Sequence, residues 1–130
     1  MSARASVTPV PGGITAAAGF RTAGVHCGIK AKAGALDLAV IVADGRASLA
    51  GLFTTNLAQA APVVVSKRNL ERSGGMGRAV VVNSGCANAC TGTQGMADAE
   101  AMADQLARLV GCAPSEVLVA STGVIGVNLK

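Results

Sequence analysis

Tryptophan and tyrosine are absent from the 130 residues, and phenylalanine occurs only twice. Nucleic-acid surfaces built on base stacking need aromatic side chains, so that class is disfavoured, and the interior must be filled by Ala, Val, Leu and Ile. Charged residues are also scarce, at 14% against 51% hydrophobic, where soluble domains average about 25% charged. Such a chain is too apolar to stay disordered, and it has too few charges to cover its own surface; part of that surface is expected to lie against something else. Long hydrophobic runs are missing as well. The longest, at 38–43 and 60–65, fall far short of the ~20 residues that cross a bilayer as a helix, so no membrane partner is expected. Four prolines and glycines without a triplet period exclude collagen. Residues 1–22 carry no apolar core of signal-peptide length, which makes a cytoplasmic location the expectation.

What charge there is has an uneven distribution. Arg4, Arg21, Lys30 and Lys32 precede the first acid, Asp37; in the remainder, Asp37 included, seven bases balance seven acids. A basic head of this kind attracts anions, but no nucleic-acid motif accompanies it. Cys27, Cys86, Cys90 and Cys112 are expected to stay reduced, as small core residues in a chain without a secretory signal. A zinc site from Cys86, Cys90 and His26 lacks the tight paired spacing of structural zinc. A Cys86–His26 nucleophile pair has nothing in the sequence to fix its proximity.

Local patterning predicts a loop or edge segment over 7–18 and a strand over 19–32 interrupted by Gly24 and Gly28. Further strands are expected at 37–43, closed by an Asp44-Gly45 turn, at 48–54 and at the valine run 61–66. Residues 67–73 suit a helical turn ending at Gly74-Gly75. A strand at 78–83 then leads into a loop over 84–92. Met96, Ala99, Met102, Ala103, Leu106 and Val110 recur at helical spacing and predict a helix over 95–110 that ends at Gly111. After a turn at Pro114, a last strand at 117–120 runs into Ser121-Thr122-Gly123. Strands outnumber helices in one modest domain.

Glycine-rich loops next to strands and a helix invite a phosphate-binding reading. Neither Gly-Lys-Ser/Thr of a Walker loop nor Gly-x-Gly-x-x-Gly occurs, however. Read alone, the 83–92 loop is a turn whose Asn and Ser side chains satisfy nearby backbone groups, and 121–123 is a strand-ending turn with two hydroxyls.

In combination these segments resemble a known family. The words that carry the resemblance are Gly19-Phe20-Arg21-Thr22-Ala23-Gly24-Val25, Gly28-Ile29-Lys30, Asp37-Leu38-Ala39, Gly51-Leu52-Phe53-Thr54-Thr55-Asn56 and Ala61-Pro62-Val63. The most specific are Asn83-Ser84-Gly85, Ala87-Asn88-Ala89-Cys90-Thr91-Gly92, 95–98, and Ser121-Thr122-Gly123-Val124-Ile125-Gly126. Over nearly the whole chain they resemble the bifunctional ornithine acetyltransferase, or glutamate N-acetyltransferase, family of arginine biosynthesis. Cys86 departs from the Asn or small residue usual there.

The resemblance implies an α/β fold of layered sheets and helices, of αββα, N-terminal-nucleophile-like type, of which 1–130 is one N-terminal α-chain portion. It implies a precursor that cuts itself before a threonine, whose freed amino group serves as base while its hydroxyl takes the acetyl group from N-acetylornithine and passes it to glutamate. Thr122 and Gly123 match the family's oxyanion-hole pair, a hydroxyl donor and a backbone N–H. No metal or cofactor is implied, although acetyl-CoA is an alternative acetyl donor, and the expected partner is the β-chain or remaining part of the precursor in an α2β2 heterotetramer. The nucleophilic threonine and most substrate contacts are expected beyond Lys130, since no Ala-Thr junction occurs within the chain; alone, it is expected to be inactive. Two other readings stay open: a non-catalytic binding module on this scaffold, and a related N-terminal-nucleophile amidase.

Overall fold

The computed structural model describes residues 7–129; Arg4 and Lys130 lie outside them. Four strands form one mixed sheet in the order β1-β2-β3-β4: β1 (Phe20–Val25), β2 (Leu38–Ser48), β3 (Met76–Cys86) and β4 (Val117–Val124). The first three pair antiparallel and β4 lies parallel to β3. A parallel pair needs a crossover, which here is the helix α2 (Gly92–Val110); α1 (Ala61–Arg72) joins β2 to β3.

Side chains alternate along β3 so that Ala79 and Val81 are buried, and in parallel register Val117 and Val119 of β4 share their face. Against them α2 packs Ala99, Ala103, Leu106 and Ala107, while α1 contributes Ala61 and Val65. Small alanines on α2 let it lie close to a sheet made of valines, which is how a core forms without aromatic residues. Both helices occupy this face. The opposite face presents Phe20, Ile41, Val80, Val82, Leu118 and Ala120, and neither α1 nor α2 packs over it.

The helix at 95–110 is found one turn longer at its start. Gly111 ends it in a left-handed conformation (φ 68°), its N–H donating to Ala107 O, as a glycine after the last apolar position predicts. The expected strands at 78–83 and 117–120 are cores of longer ones. Residues 84–86, taken as loop, belong to β3, because Ser84, Gly85 and Cys86 continue in register with Thr122, Gly123 and Val124.

Four expectations need correction. The first strand stops at Val25, and the chain then loops around the carboxylate of Asp37. Asp44-Gly45 is not a turn between strands: β2 runs through it in a bulge, with Val42 opposite Ala79 and Ala47 opposite Gly77. Residues 49–54 form no strand. Thr54 and Asn56 bend the following backbone through their own side chains, Asn56 N donating to Thr54 Oγ1 and Ala58 N to Asn56 Oδ1, the local competition that diverts these residue types from ladders. Residues 61–66 are the first half of α1. Proline in its first turn suits a helix start, and the buried residues Ala61, Pro62, Val65, Ser66 and Asn69 follow helical spacing.

The same helix protects the sheet. β4 is an edge strand, and an uncovered edge leaves backbone groups unpaired. Ser66 Oγ donates to Val119 O and accepts from Val119 N, both at 2.7 Å, while Asn69 Nδ2 donates to Val117 O at 2.9 Å. All four residues involved, Ser66, Asn69, Val117 and Val119, are buried, so α1 replaces the strand neighbour that β4 lacks.

Candidate functional site

Thr122 and Gly123 stand near the end of β4, opposite Ser84 and Gly85 of β3. Strand alternation puts Thr122 on the helix-free face with Leu118 and Ala120. Its side chain is exposed, and its hydroxyl forms no hydrogen bond among the described residues. Gly123 has φ 133°, and a Cβ built on it would stand 2.3 Å from the carbonyl carbon of Gly85 and 2.6 Å from Cys86 N. Only glycine lets the two backbones approach so closely.

The loop that follows β3 locks this end of the sheet. Ala87 N donates to Val124 O at 2.9 Å, and Gly126 N to Ala89 O at 2.8 Å. Asn88 is fully buried and left-handed (φ 47°). Its Nδ2 donates to Gly95 O, its Oδ1 accepts from Thr91 Oγ1, and its carbonyl accepts from Ala61 N, which ties the loop to the starts of both helices. Asn83, also fully buried, donates to Cys86 O at 2.8 Å. The expectation that Asn side chains satisfy nearby backbone groups holds for Asn83 and Asn88, but 83–86 are the end of β3 and not part of a turn; these bonds tie the segment after β3 to the strand end that carries Thr122 and Gly123.

The remaining candidates separate. Cys86 is buried, its thiol donating to Val127 O at 3.1 Å, while His26 Nδ1 lies 2.8 Å from Ala35 O and 3.2 Å from Asp37 Oδ2. The two are engaged with different partners, so no nucleophile pair forms. All four cysteines are free thiols, but only Cys86 is buried, with Cys27 and Cys90 exposed and Cys112 intermediate; the expectation of core thiols holds for Cys86 alone. Among the described residues no three of His, Cys, Asp and Glu gather as metal ligands. Arg21 of the basic head pairs with Asp44 and Lys30 Nζ donates to Leu36 O, so these charges have local partners.

Sequence patterning did not single out the role of Asp37. Its carboxylate is 2% exposed and accepts from Cys27 N at 2.6 Å and Lys30 N at 2.9 Å. Burial alone would raise its pKa, but these two amides, aided by the Cys27 thiol and the neighbouring His26 ring, outweigh it and hold the carboxyl well below the usual carboxylate range. Desolvation, and after it the same carboxylate, push the Cys27 thiol up, which leaves it a poor nucleophile at neutral pH. Asp37 O accepts from Ser84 N at 2.8 Å, so the cradle braces the strand opposite Thr122. An acid followed by an apolar run, after a loop rich in amide donors, is the signal that could have marked it.

The fold superposes on two solved structures. One is the arginine biosynthesis bifunctional protein argJ of Bacillus halodurans, at TM-score 0.85 and 42% identity, covering 91% of this chain and 60% of that one. The other is ornithine acetyltransferase complexed with ornithine from Mycobacterium tuberculosis, at TM-score 0.82 and 47% identity, covering 90% and 62%. The α/β layering expected from the sequence is thus the fold of these structures. Among curated proteins, the chain is 51% identical over 120 residues to the arginine biosynthesis bifunctional protein ArgJ of Gloeobacter violaceus. It is 56% identical over 115 residues to the mitochondrial protein of that name from Postia placenta, and 47% over 121 residues to the chloroplastic one from Ostreococcus lucimarinus. It covers 92%, 85% and 93% of itself in these matches but only 29%, 25% and 26% of the relatives' lengths. With residues 21–130 matching the model of the ArgJ family, and with its fold shared with these two solved structures, the chain belongs to the ArgJ family.

Proposed function

We propose that this chain is the N-terminal portion of an acetyltransferase that moves the acetyl group of N-acetylornithine to glutamate, and that it supplies the oxyanion hole through Thr122 Oγ1 and the N–H of Gly123. Attack of a threonine hydroxyl on the acetyl carbonyl puts negative charge on the carbonyl oxygen, and fixed donors aimed at that oxygen lower the barrier. The observation that carries the reading is the pairing of an unbonded, exposed threonine hydroxyl with a glycine wedged against the Gly85–Cys86 peptide. A donor that has no partner in the fold is free for a ligand, and a backbone pinned this tightly needs little reorganisation.

Two further features support it. Val117 and Val119 turn their backbone polar groups to the outer edge of β4, toward α1, whereas Val124 O accepts from Ala87 N on the β3 side. Gly123 has the parity of Val117 and Val119, so its N–H belongs to the outer edge. The pairing of Asn69 with Val117 and of Ser66 with Val119 also makes α1 antiparallel to β4. Its N-terminus, the positive end of the helix dipole, is directed toward the Thr122 end of the strand, where it favours an oxyanion.

In this reading the nucleophilic threonine is freed by self-cleavage elsewhere in the precursor, and its β-chain covers the apolar sheet face and completes an α2β2 assembly in a reducing, cytoplasm-like compartment. The test is Thr122→Val in the complete protein. A correctly cleaved Thr122→Val enzyme is expected to lose about a hundredfold to a thousandfold in kcat with a smaller change in KM. Because the hydroxyl is unpartnered, stability should change by no more than about 0.5 kcal/mol. Self-cleavage is scored separately on denaturing gels, since an uncut variant would mimic a catalytic defect. Near-normal kcat in a cleaved variant removes Thr122 from the chemistry.

A further inference from the structure

On the helix side of the sheet, away from Thr122, lies a cavity of about 350 Å³ between β2, β3, α2 and the 27–29 loop. Its apolar wall includes Ile29, Leu38, Met102 and Leu129, and its polar wall includes Asn83 and Asp98. Asn83 is 0% exposed; with Nδ2 committed to Cys86 O, its Oδ1 has no partner among the described residues. Asp98 accepts from Gln94 Nε2 through Oδ1 at 2.7 Å, which leaves Oδ2 buried and without a partner among the described residues. Ser121, the register neighbour of Asn83 on β4, has a buried hydroxyl in the same condition.

Three buried oxygens without partners in one neighbourhood are uncommon, because each unpaired group carries a desolvation cost. Two of them line one cavity, one belongs to a carboxylate, and among the described residues no lysine or arginine lines it. The complement of such a wall is a donor-rich cation, and the complement of the facing apolar wall is an alkyl stem. We infer that the cavity binds an alkylammonium or alkylguanidinium group, with Asp98 Oδ2 and Asn83 Oδ1 receiving its N–H donors. This chemistry has two possible sources, a free small cation or a Lys or Arg side chain of the polypeptide outside the described residues. The site is on the opposite side of the sheet from Thr122, so it does not depend on the proposed acetyl transfer.

The experiment is titration calorimetry of the purified protein with n-butylammonium chloride, with 1-butanol as the uncharged control, alongside thermal melts of Asp98→Asn. This isosteric change keeps the acceptor for Gln94 and removes the charge. A free-cation site is expected to bind butylammonium saturably, to ignore butanol, and to weaken at least tenfold in Asp98→Asn. If a side chain of the protein already fills the site, butylammonium does not bind and Asp98→Asn lowers the Tm, because a buried cation has lost its partner. Butanol binding as well as butylammonium overturns the inference. So does absence of binding together with an unchanged or raised Tm, the result for a carboxylate that faces nothing.

Discussion

At the residue scale, the protein relies on a few backbone-directed polar side chains. Asp37, Asn83 and Asn88 are each almost wholly buried, and each holds a loop by its amides or carbonyls. For Asp37 the consequence is a pH dependence whose sign is fixed. Its folded pKa is lowered, so between the folded and unfolded values the unfolded chain binds more protons, and stability falls as pH drops. Glu116, held low chiefly by the Ala113 amide and also by Arg46, acts in the same direction. Melts between about pH 6 and pH 2 should show Tm falling most steeply below the usual carboxylate pKa of about 4. Asp37→Asn should lower the Tm at pH 7 and flatten that acid slope; a slope unchanged in Asp37→Asn would assign it to other carboxylates. Little of this was legible in advance. Asp37 could be read as a boundary before an apolar run, but its amide donors come from residues seven and ten positions earlier, and side-chain spacing carries no record of such a loop.

The elements show where reading by pattern succeeds and where it fails. The 95–110 helix and the valine strands at 78–83 and 117–120 were legible because amphipathic period, buried alternation and a terminal glycine all agree there. Ala61-Pro62-Val63-Val64-Val65-Ser66 was misread because three β-branched residues outweighed the proline and the four-residue spacing of Ala61 and Val65. Tertiary demand decides the case, since an edge strand needs Ser66 and Asn69 on a surface that only a helix presents. Ser66→Ala leaves both Val119 backbone groups without their partner, and a loss of about 2 kcal/mol is expected. Chemical denaturation checks it, and a loss below about 0.5 kcal/mol would show that water replaces the hydroxyl at the β4 edge. The bulge at Asp44-Gly45 was misread for a related reason. Turn chemistry is the same whether the chain reverses or only kinks, and pairing of Phe20 with Ala43 and of Ala47 with Gly77 decides between the two.

For the whole molecule, the low charge foreseen as a sign of covered surface has a location. One face of the sheet is packed under helices and the other displays Phe20, Ile41, Val80, Val82, Leu118 and Ala120 around Thr122. The chain spans about a quarter of the length of its curated relatives, and in the proposed function a longer protein covers that second face and supplies the nucleophile. The family words at 83–92 and 121–126 marked Thr122 and Gly123 through a resemblance, whereas the geometry that sets Gly123 against Gly85 depends on contacts between β3 and β4 that no single segment encodes. The most direct measurement is transfer of labelled acetyl from N-acetylornithine to glutamate, run with residues 1–130 alone and with a protein carried on to the relatives' length. The account predicts turnover by the complete, self-cleaved protein and none above a matched blank by the chain alone, because an oxyanion hole without a nucleophile forms no acetyl-enzyme. Turnover by 1–130 alone would contradict the placement of the nucleophile, and a cleaved complete protein that transfers no acetyl group would contradict the proposed activity itself.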